Sequence, residues 1–291
     1  MKKVITHSGS FHADDVFAVS TLQLHFGVEN IEVVRTRDEA IIAAGDIVVD
    51  VGGVYDPGRQ KFDHHQNGAP VRDNDIPYAA FGLVWKHYGE ALAGGPELAA
   101  EIERKLVLPI DANDNGVSLF ENTRPDASPL LAQDVIGLFK PEWGSEASMN
   151  EGFLTACELA RDVLSRSLLH IRADQAEKDY VRSVYGSASS KEVLVFDKQV
   201  SSIHLVEFPE VMAVICPNEE GNWSAAMVRK TYDSFSTKRQ FPAEWGGLRD
   251  GELAVASGIA DAVFCHKALF LFVAKSREGA VAAANKALTQ G

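Results

Sequence analysis

Cysteine, positive charge and long apolar runs are all scarce in this 291-residue sequence. The three cysteines, Cys157, Cys216 and Cys265, lie far apart and form no CxxC pair. Their spacing argues against a disulfide framework or a zinc–cysteine site and favours small buried thiols. No apolar run approaches the roughly 20 residues of a membrane span, and no apolar signal core follows the first lysines. We therefore predict a cytoplasmic protein with no membrane partner.

Negative charge dominates the composition. Lysine and arginine number 28 against 41 aspartates and glutamates, which gives a formal net charge of −13. A protein that coats long nucleic acid normally carries a basic stripe, so this balance argues against a long duplex as partner. Acidic chains can still cut phosphodiesters when divalent cations supply positive charge locally. The composition therefore favours a compact, metal-lined pocket for a small or single-stranded substrate.

The hydrophobic pattern predicts an α/β first domain followed by a smaller α+β domain. Strands are expected over 4–6, 31–36 and 47–51, and helices over 14–26, 39–44, 76–88, 97–108 and 149–185. Further strands are expected over 193–196, 211–216, 223–228 and 262–266, with a closing helix over 278–288. Alternation of strand and helix, with a continuous apolar run at 47–49, is typical of a parallel sheet covered on both faces. We predict a catalytic domain over 1–187, including the long helix, and a substrate-binding domain over 188–291.

Histidines and aspartates cluster at predicted strand ends or in the loops that follow. The groups are His7 to Asp15, Asp50 before two glycines, Asp63-His64-His65, and Asp111 with Asp114. In an open parallel sheet, ligands bind outside the carboxyl ends of the strands. Carboxylates and neutral imidazoles are the usual ligands of divalent metals such as manganese. Each group alone is better explained as a turn or surface feature, but their joint occurrence predicts a two-metal site.

The residue types suggest roles within that site. A carboxylate at the end of an apolar strand is costly to bury unless it binds a metal or several donors, so Asp50 is our candidate for the shared ligand. One of the adjacent His64 and His65 can bind a metal while the other contacts a phosphate. Asp63 can accept a hydrogen bond from an imidazole that binds the metal, and so fix the orientation of that ring.

Other roles stay open at this stage. Either Asp111 or Asp114 closes the metal cage, and either Asp15 or a metal-bound hydroxide handles protons. In the second domain, Arg249 can hold a phosphate bidentately and His266 can face the substrate. The sequence contains no HExxH helix and no convincing nucleophile elbow, so it does not support protein hydrolysis.

These motifs, in this order, resemble those of the DHH phosphoesterase superfamily, whose name-giving motif matches Asp63-His64-His65. The sequence is more similar still to the melanocyte-proliferating-gene protein family. The stretches that carry this resemblance are 6–14, 48–57, 62–66 and 111–116, and in the second domain 241–249 and 257–259. The resemblance therefore covers nearly the whole chain.

The resemblance implies a dinuclear manganese-type centre, with Mg²⁺ or Co²⁺ as alternatives, and 3′–5′ exonuclease-like hydrolysis of short single-stranded RNA. By motif it places His7, His12, Asp14 and His64 among the metal ligands. With the residue-based candidates Asp50, Asp111 and Asp114, these form the predicted ligand set. The resemblance also implies that His65 contacts the phosphate. From the residues themselves we predict His65, Asp63 and Asp15 as catalytic residues, and Arg249 and His266 as further substrate contacts. His12 stands where the wider superfamily has an aspartate, so the choice between His7 and His12 as first-metal ligand is open.

Two other functions stay in view. One is a pyrophosphatase-like hydrolase of small or nucleotide-like phosphoesters. The other is a metal or nucleotide sensor without turnover, favoured by the bulky stretch 268–275 where related proteins carry a Gly-Gly pair. The oligomeric state is also open, with a homo-oligomer among the options.

Overall fold

A computed structural model describes residues 1–124 and 126–289, so the last two residues of the predicted second domain lie outside the described part. The chain divides into two compact units, Met1–Ala173 and Asp174–Gly291. This division falls inside one long helix. The domain boundary after residue 187 remains a prediction.

A mostly parallel five-stranded sheet forms the centre of the first unit. Its strands are β1 (Lys2–Thr6), β2 (Ile31–Arg35), β3 (Ile47–Val49), β4 (Tyr55–Asp56) and β5 (Lys61–Phe62). The spatial order is β2-β1-β3-β5-β4, and only the β4–β5 pair is antiparallel among the pairings described. Val4, Ile5 and all three residues of β3 are buried, as expected for parallel strands covered on both faces.

The structure describes seven α-helices that begin in the first unit. They are α1 (Ala13–Phe26), α2 (Glu39–Ala43), α3 (Ala80–Ala93), α4 (Pro96–Ile102), α5 (Leu108–Asp114), α6 (Ala132–Gly137) and α7 (Met149–Ser187). A capping box starts α1, in which the Asp15 carboxylate accepts the His12 backbone N–H at 2.9 Å. Phe17 of α1 contacts Phe81 of α3, with ring centroids 5.3 Å apart. This packing places the start of α1 beside the start of α3.

Two helix predictions differ from the structure. The helix expected from residue 76 begins only at Ala80, because Val71 and Pro77 pair as an antiparallel bridge before it. The helix expected to end at 108 instead continues through a π-helical turn, Glu103–Val107, into α5. Asp111 is therefore helical and does not lie in a loop after the helix.

The second unit holds a sheet of different topology. Its strands are β6 (Val193–Val195), β7 (Ala213–Pro217), β8 (Trp223–Met227), β9 (Ala262–Cys265) and β10 (Leu271–Ala274), with α8 (Asp250–Ser257) and α9 (Arg277–Thr289). The order is β6-β7-β8-β10-β9, with a parallel β6–β7 pair and antiparallel pairing elsewhere. The sequence analysis did not predict β10. Its bulky Phe272 is fully buried and contacts Trp245 at 5.5 Å between ring centroids, so this stretch is core.

The predicted fold class is confirmed: a parallel-rich α/β unit precedes a smaller α+β unit. All three cysteines are free and buried, as expected. Across residues 1–124 and 126–289, no helix has both the length and the apolar character needed to cross a bilayer.

Candidate metal centre

Three adjacent parallel strands deliver the candidate ligands to one edge of the first sheet. His7 follows β1, Asp50 follows β3 and Asp63 follows β5. These strands are neighbours, with Ile5 paired to Val48 and Val49 paired to Phe62. Because their carboxyl ends meet at the same edge, the three polar residues lie close together.

The first group joins His7, Asp15 and Asp50. His7 Nε2 lies 3.1 Å from Asp15 Oδ2 and 3.2 Å from Asp50 Oδ2. All three side chains are buried, and one ligand atom from each lies within 4.8 Å of the others. This spacing is small enough for a single ion to touch all three groups.

A second group lies on the other side of Asp50. Its Oδ1 atom is 3.2 Å from His64 Nε2 and 3.5 Å from His65 Nδ1. The two oxygens of Asp50 thus face different histidines, His7 and His64. Asp50 adopts φ 56°, a left-handed conformation that is costly for an aspartate and found mainly at constrained sites. The predicted sharing of Asp50 therefore has a geometric basis, although its role as a metal ligand stays a prediction.

The third group contains His12, Asp14 and Asp114. Asp14 is fully buried at the start of α1, and its Oδ2 accepts the Ala80 backbone N–H at 3.3 Å. Asp114 Oδ2 is 3.4 Å from His64 Nε2, which links this group to the second one. His12 is the most open member, with 47% of its side chain exposed and Nδ1 3.9 Å from Asp114. His7 is therefore the more enclosed of the two histidines that the sequence analysis left open.

Unpartnered buried atoms indicate that this cluster fits metal ions. In the described residues, seven buried side-chain nitrogen or oxygen atoms have no hydrogen-bond partner. Four of them belong to the cluster: Asp14 Oδ1, Asp15 Oδ2, Asp50 Oδ1 and His64 Nε2. Apart from Asp14 Oδ1, their close polar contacts are the histidine–carboxylate contacts described above. Such atoms carry a desolvation cost that a coordinated cation would offset. The donor set of carboxylates and imidazoles suits manganese-type ions.

Protons stabilise the cluster when no metal is bound. Burial lowers the pKa of His7, but Asp15 and Asp50 outweigh burial and raise this pKa to about 10. Burial raises the pKa of Asp50, but His64 and His7 bring it down to about 2. Burial and the neighbouring Asp50 carboxylate raise the pKa of Asp14 well above its usual value. A divalent cation would take over the charge compensation that protons give here.

Asp63 organises the loop that carries both histidines. Its carboxylate accepts the backbone N–H groups of His64 at 2.8 Å, His65 at 3.2 Å and Gly53 at 2.5 Å. Asp63 Oδ1 also contacts His65 Nδ1 at 2.7 Å, and this hydrogen bond raises the pKa of His65 despite partial burial. The His65 side chain is 62% exposed. Asp63 thus orients an exposed imidazole whose raised pKa favours the cationic form, which suits a contact with a substrate phosphate.

Asp111 lies outside all three ligand groups described. Arg72 Nη2 lies 2.6 Å from Asp111 Oδ2, and the Gly82 backbone N–H donates to Asp111 Oδ1 at 3.0 Å. Arg72 also pairs with Glu103 at 2.6 Å. Burial raises the pKa of Asp111 to about 7, although Arg72 acts in the opposite direction. Between the two aspartates left open by the sequence, the geometry favours Asp114 as the one that reaches the cluster.

Gly82→Ala is expected to destabilise the first unit by about 1–3 kcal/mol, because overpacking a filled site strains its neighbours. A Cβ at this position would overlap the Asp111 carboxylate and approach Arg72 to 2.6 Å. Urea unfolding followed by tryptophan fluorescence measures the change. Gly137→Ala is the control, since its Cβ would meet nothing within 4 Å. Equal unfolding midpoints for the two variants would contradict the expected overlap.

Arg249 and His266, the predicted substrate contacts, belong to the second unit. The Arg249 guanidinium lies over the Phe264 ring at 4.9 Å. His266 Nδ1 accepts the Ala268 backbone N–H at 3.0 Å, and its ring lies 4.5 Å from that of Phe270. These contacts occur within one unit and leave the substrate role of both residues a prediction.

Sequence reasoning missed Arg37. Its Nη2 lies 3.4 Å from His7 Nδ1, and its Nε donates to the Ser8 carbonyl at 3.3 Å. Arg37, Asp50 and His65 line the same cavity of about 630 Å³. A usable signal was present, because Arg37 follows the carboxyl end of β2 just as His7 follows that of β1.

The fold and this cluster define a candidate metal-binding site, built from carboxylates and imidazoles at the carboxyl edge of a parallel sheet. The family model MYG1_exonuc, described as an uncharacterised protein family, matches residues 3–288. The chain therefore belongs to this family.

Curated relatives match nearly the whole chain. The MYG1 exonuclease of Homo sapiens is 30% identical over 327 residues, which covers 99% of this chain and 86% of the relative. The MYG1 protein of Dictyostelium discoideum is 30% identical over 321 residues, which covers 99% and 96% of the two chains.

A solved structure of RecJ with Mn²⁺ from Thermus thermophilus aligns at 13% identity and a TM-score of 0.29. The alignment covers 99% of this chain and 52% of that one, so this chain spans about half the length of that RecJ.

Proposed function

We propose that the protein is a phosphodiesterase that removes nucleotides from short single-stranded RNA and uses two Mn²⁺ ions. The observation that carries the proposal is the position of Asp50. Its two oxygens lie 3.2 Å from His7 Nε2 and 3.2 Å from His64 Nε2, so one carboxylate serves two ligand groups. A shared carboxylate between two close cations is how two-metal hydrolases hold their ions. The human relative is named MYG1 exonuclease, which supports nuclease activity.

The chain offers one set of ligands for each ion. His7, Asp15 and Asp50 would hold the first, and Asp50 and His64 would hold the second with Asp14 or Asp114. Bound cations would supply positive charge to the phosphate and lower the pKa of water. Asp15 is fully buried beside His7, which suits a ligand better than a group that exchanges protons with substrate. Its predicted role in proton handling stays a hypothesis.

Two side chains would bind the substrate phosphate. His65 is exposed, and its hydrogen bond with Asp63 raises its pKa, which favours the cationic form that binds a phosphate. Arg37 lines the same cavity, and a guanidinium matches the geometry of a phosphate. Both groups would hold the scissile phosphate against the cation sites. We retain Arg249 and His266 as proposed contacts of the second domain.

The substrate class follows from charge and size. A net charge of −13 disfavours tracking along a duplex, whereas a local metal cluster can attract one phosphate at a time. A cavity of about 630 Å³ suits a nucleotide better than a folded nucleic acid. Short single strands meet both conditions. The cytoplasmic location remains a prediction from the sequence.

The test is hydrolysis of a 5′-labelled five-nucleotide RNA in MnCl₂, resolved by electrophoresis over time. We expect stepwise loss of 3′ nucleotides, loss of activity in EDTA, and a decrease of at least about 1,000-fold in His64→Ala because charge stabilisation worth several kcal/mol is lost. His170→Ala removes an exposed histidine of α7 and serves as the matched control. Parallel reactions with Mg²⁺ and Co²⁺ identify the preferred ion.

Two further substrates decide between neighbouring activities. A DNA strand of the same sequence tests whether the 2′-hydroxyl matters, since that group distinguishes RNA from DNA. Inorganic pyrophosphate tests the small-phosphoester alternative. Rapid turnover of pyrophosphate with intact RNA would overturn the phosphodiesterase proposal in favour of that alternative.

A further inference from the structure

A basic, aromatic hairpin follows β8 in the second unit. Residues 229–239 hold four cationic residues and one acidic residue, although the chain as a whole has a net charge of −13. They are Arg229, Lys230, Lys238 and Arg239, with Asp233. Two aromatic side chains lie between the cations, Tyr232 with 58% and Phe235 with 86% of its surface exposed. Charge of one sign and open rings are thus concentrated in one short segment.

Backbone and side-chain contacts hold this hairpin in shape. Arg229 and Thr237 pair as an antiparallel bridge, and the Lys230 N–H donates to the Ser236 carbonyl at 2.9 Å. The Lys238 ammonium donates to the carbonyls of Phe208 and Val211 at 2.6 and 3.1 Å. The Lys238 ammonium therefore stabilises the base of the hairpin. A preformed loop loses less conformational entropy when it binds a ligand.

The remaining cations and the open ring are arranged as a nucleic-acid contact requires. The Arg229 guanidinium lies over the Phe235 ring at 4.5 Å from the centroid. Lys230 and Arg239 are exposed. Exposed rings stack on bases of any sequence, and nearby cations bind the phosphates that join them. An anionic polymer with aromatic bases matches both features, whereas a phosphate alone would leave the ring unused.

We infer that the 229–239 hairpin binds single-stranded nucleic acid, with Phe235 stacking on a base and Lys230 and Arg239 contacting the backbone. This inference rests on the proposed function, because it describes how a short RNA is held away from the reacting phosphate. The hairpin has this role through binding alone and takes no part in bond cleavage.

Binding is measured with the full-length protein in EDTA, so that cleavage does not interfere. The probe is a fluorescein-labelled ten-nucleotide oligouridylate followed by fluorescence anisotropy. We expect Phe235→Ala to weaken binding roughly tenfold, in the range of one lost base–aromatic stack. Trp143→Ala is the matched control, since Trp143 is a fully exposed aromatic residue of the first unit.

The double variant Lys230→Ala/Arg239→Ala should lower the slope of log affinity against log salt by about 1.4, or about 0.7 per phosphate contact. Lys3→Ala, an exposed cation of the first unit, should leave the slope unchanged.

Kinetics separate this inference from the proposed function. In MnCl₂, Phe235→Ala should raise KM for the RNA with an unchanged kcat, and should leave hydrolysis of thymidine 5′-p-nitrophenyl phosphate unaffected. If RNA is cleaved but Phe235→Ala alters neither affinity nor KM, the inference is overturned while the proposed function stands. Phe235-dependent RNA binding without any hydrolysis supports the inference and rejects the function. Absence of RNA binding by the wild-type protein, with Phe235-dependent binding to phosphatidylserine vesicles, would assign the hairpin to membranes instead.

Discussion

Replacing Asp14 with asparagine is expected to stabilise the metal-free protein and to reduce its hydrolytic activity by at least about 1,000-fold, since several kcal/mol of charge stabilisation would be lost. Asp14 is fully buried, and burial together with Asp50, Asp114 and Asp15 raises its pKa well above the usual value. Asparagine is neutral at every pH, so the variant needs no proton to fill this buried position. It also keeps an oxygen for the Ala80 N–H, which now donates to Asp14 Oδ2. We expect the free energy of unfolding in EDTA to rise by about 0.5–2 kcal/mol, as for other active-site replacements that relieve strain.

Asp50→Asn should lose activity to the same extent but change stability in the opposite direction. Asp50 lies 3.2 Å from both His7 and His64, and these histidines bring its pKa down to about 2. Loss of its charge removes the carboxylate that His7 and His64 share, which is expected to cost about 1–3 kcal/mol in EDTA. Urea unfolding of both variants, beside the exposed control Asp73→Asn, measures this contrast. A decrease in stability for Asp14→Asn would show that its charge is compensated in the metal-free protein.

Manganese is expected to raise the unfolding temperature of the protein, and to raise it more at pH 8 than at pH 6. At 100 times the Kd, a ligand adds about 2.7 kcal/mol to the stability of the folded state, or about 5–10 °C for a unit of this size. His7 must lose a proton to bind a cation, and its pKa is raised to about 10. Because Mn²⁺ must displace this proton, the apparent affinity for Mn²⁺ falls by about tenfold for every unit by which the pH lies below that pKa.

The pH dependence of stability in the metal-free protein follows from the same pKa shifts. The pKa values of His7, Asp14 and Asp15 are all raised by folding, so each contributes stability at low pH that is lost as pH rises through its folded-state pKa. Asp50 has a lowered pKa and contributes constant stability between pH 6 and 8. The unfolding temperature in EDTA should therefore fall from pH 6 to pH 8, while the increment from Mn²⁺ grows. Differential scanning fluorimetry with and without MnCl₂ measures both trends, and an increment independent of pH would contradict the assignment of His7 as a ligand.

Much of this site could be predicted from the sequence because parallel sheets impose a simple rule. The hydrophobic pattern located β1 and β3, and the carboxyl ends of adjacent parallel strands meet at one edge. His7 and Asp50 could therefore be grouped before any coordinates were known. Asp63 was expected in a loop, because the two-residue strand β5 before it is too short to show a pattern. Arg37 obeys the same rule after β2, and it was missed because arginine is not a metal ligand.

The structure alone distinguished Asp111 from Asp114. The two residues are three apart on α5, a spacing that places them on neighbouring parts of one helix face. Arg72, 39 positions before Asp111, lies 2.6 Å from its carboxylate and thereby occupies it, while Asp114 Oδ2 lies 3.4 Å from His64 Nε2. A local pattern carries no information about which distant cation packs against which acid.

The sequence by itself thus determined the α/β class, the motif residues and the edge of the sheet where they collect. Tertiary structure decided which carboxylates reach the cluster, which oxygen of Asp50 faces each histidine, and that the bulky stretch at Leu271–Ala274 is the core strand β10. The physical reason is the range of the interactions. Periodicity and strand ends depend on neighbouring residues, whereas the pairing of Arg72 with Asp111 and of Phe272 with Trp245 depends on segments that only folding brings together.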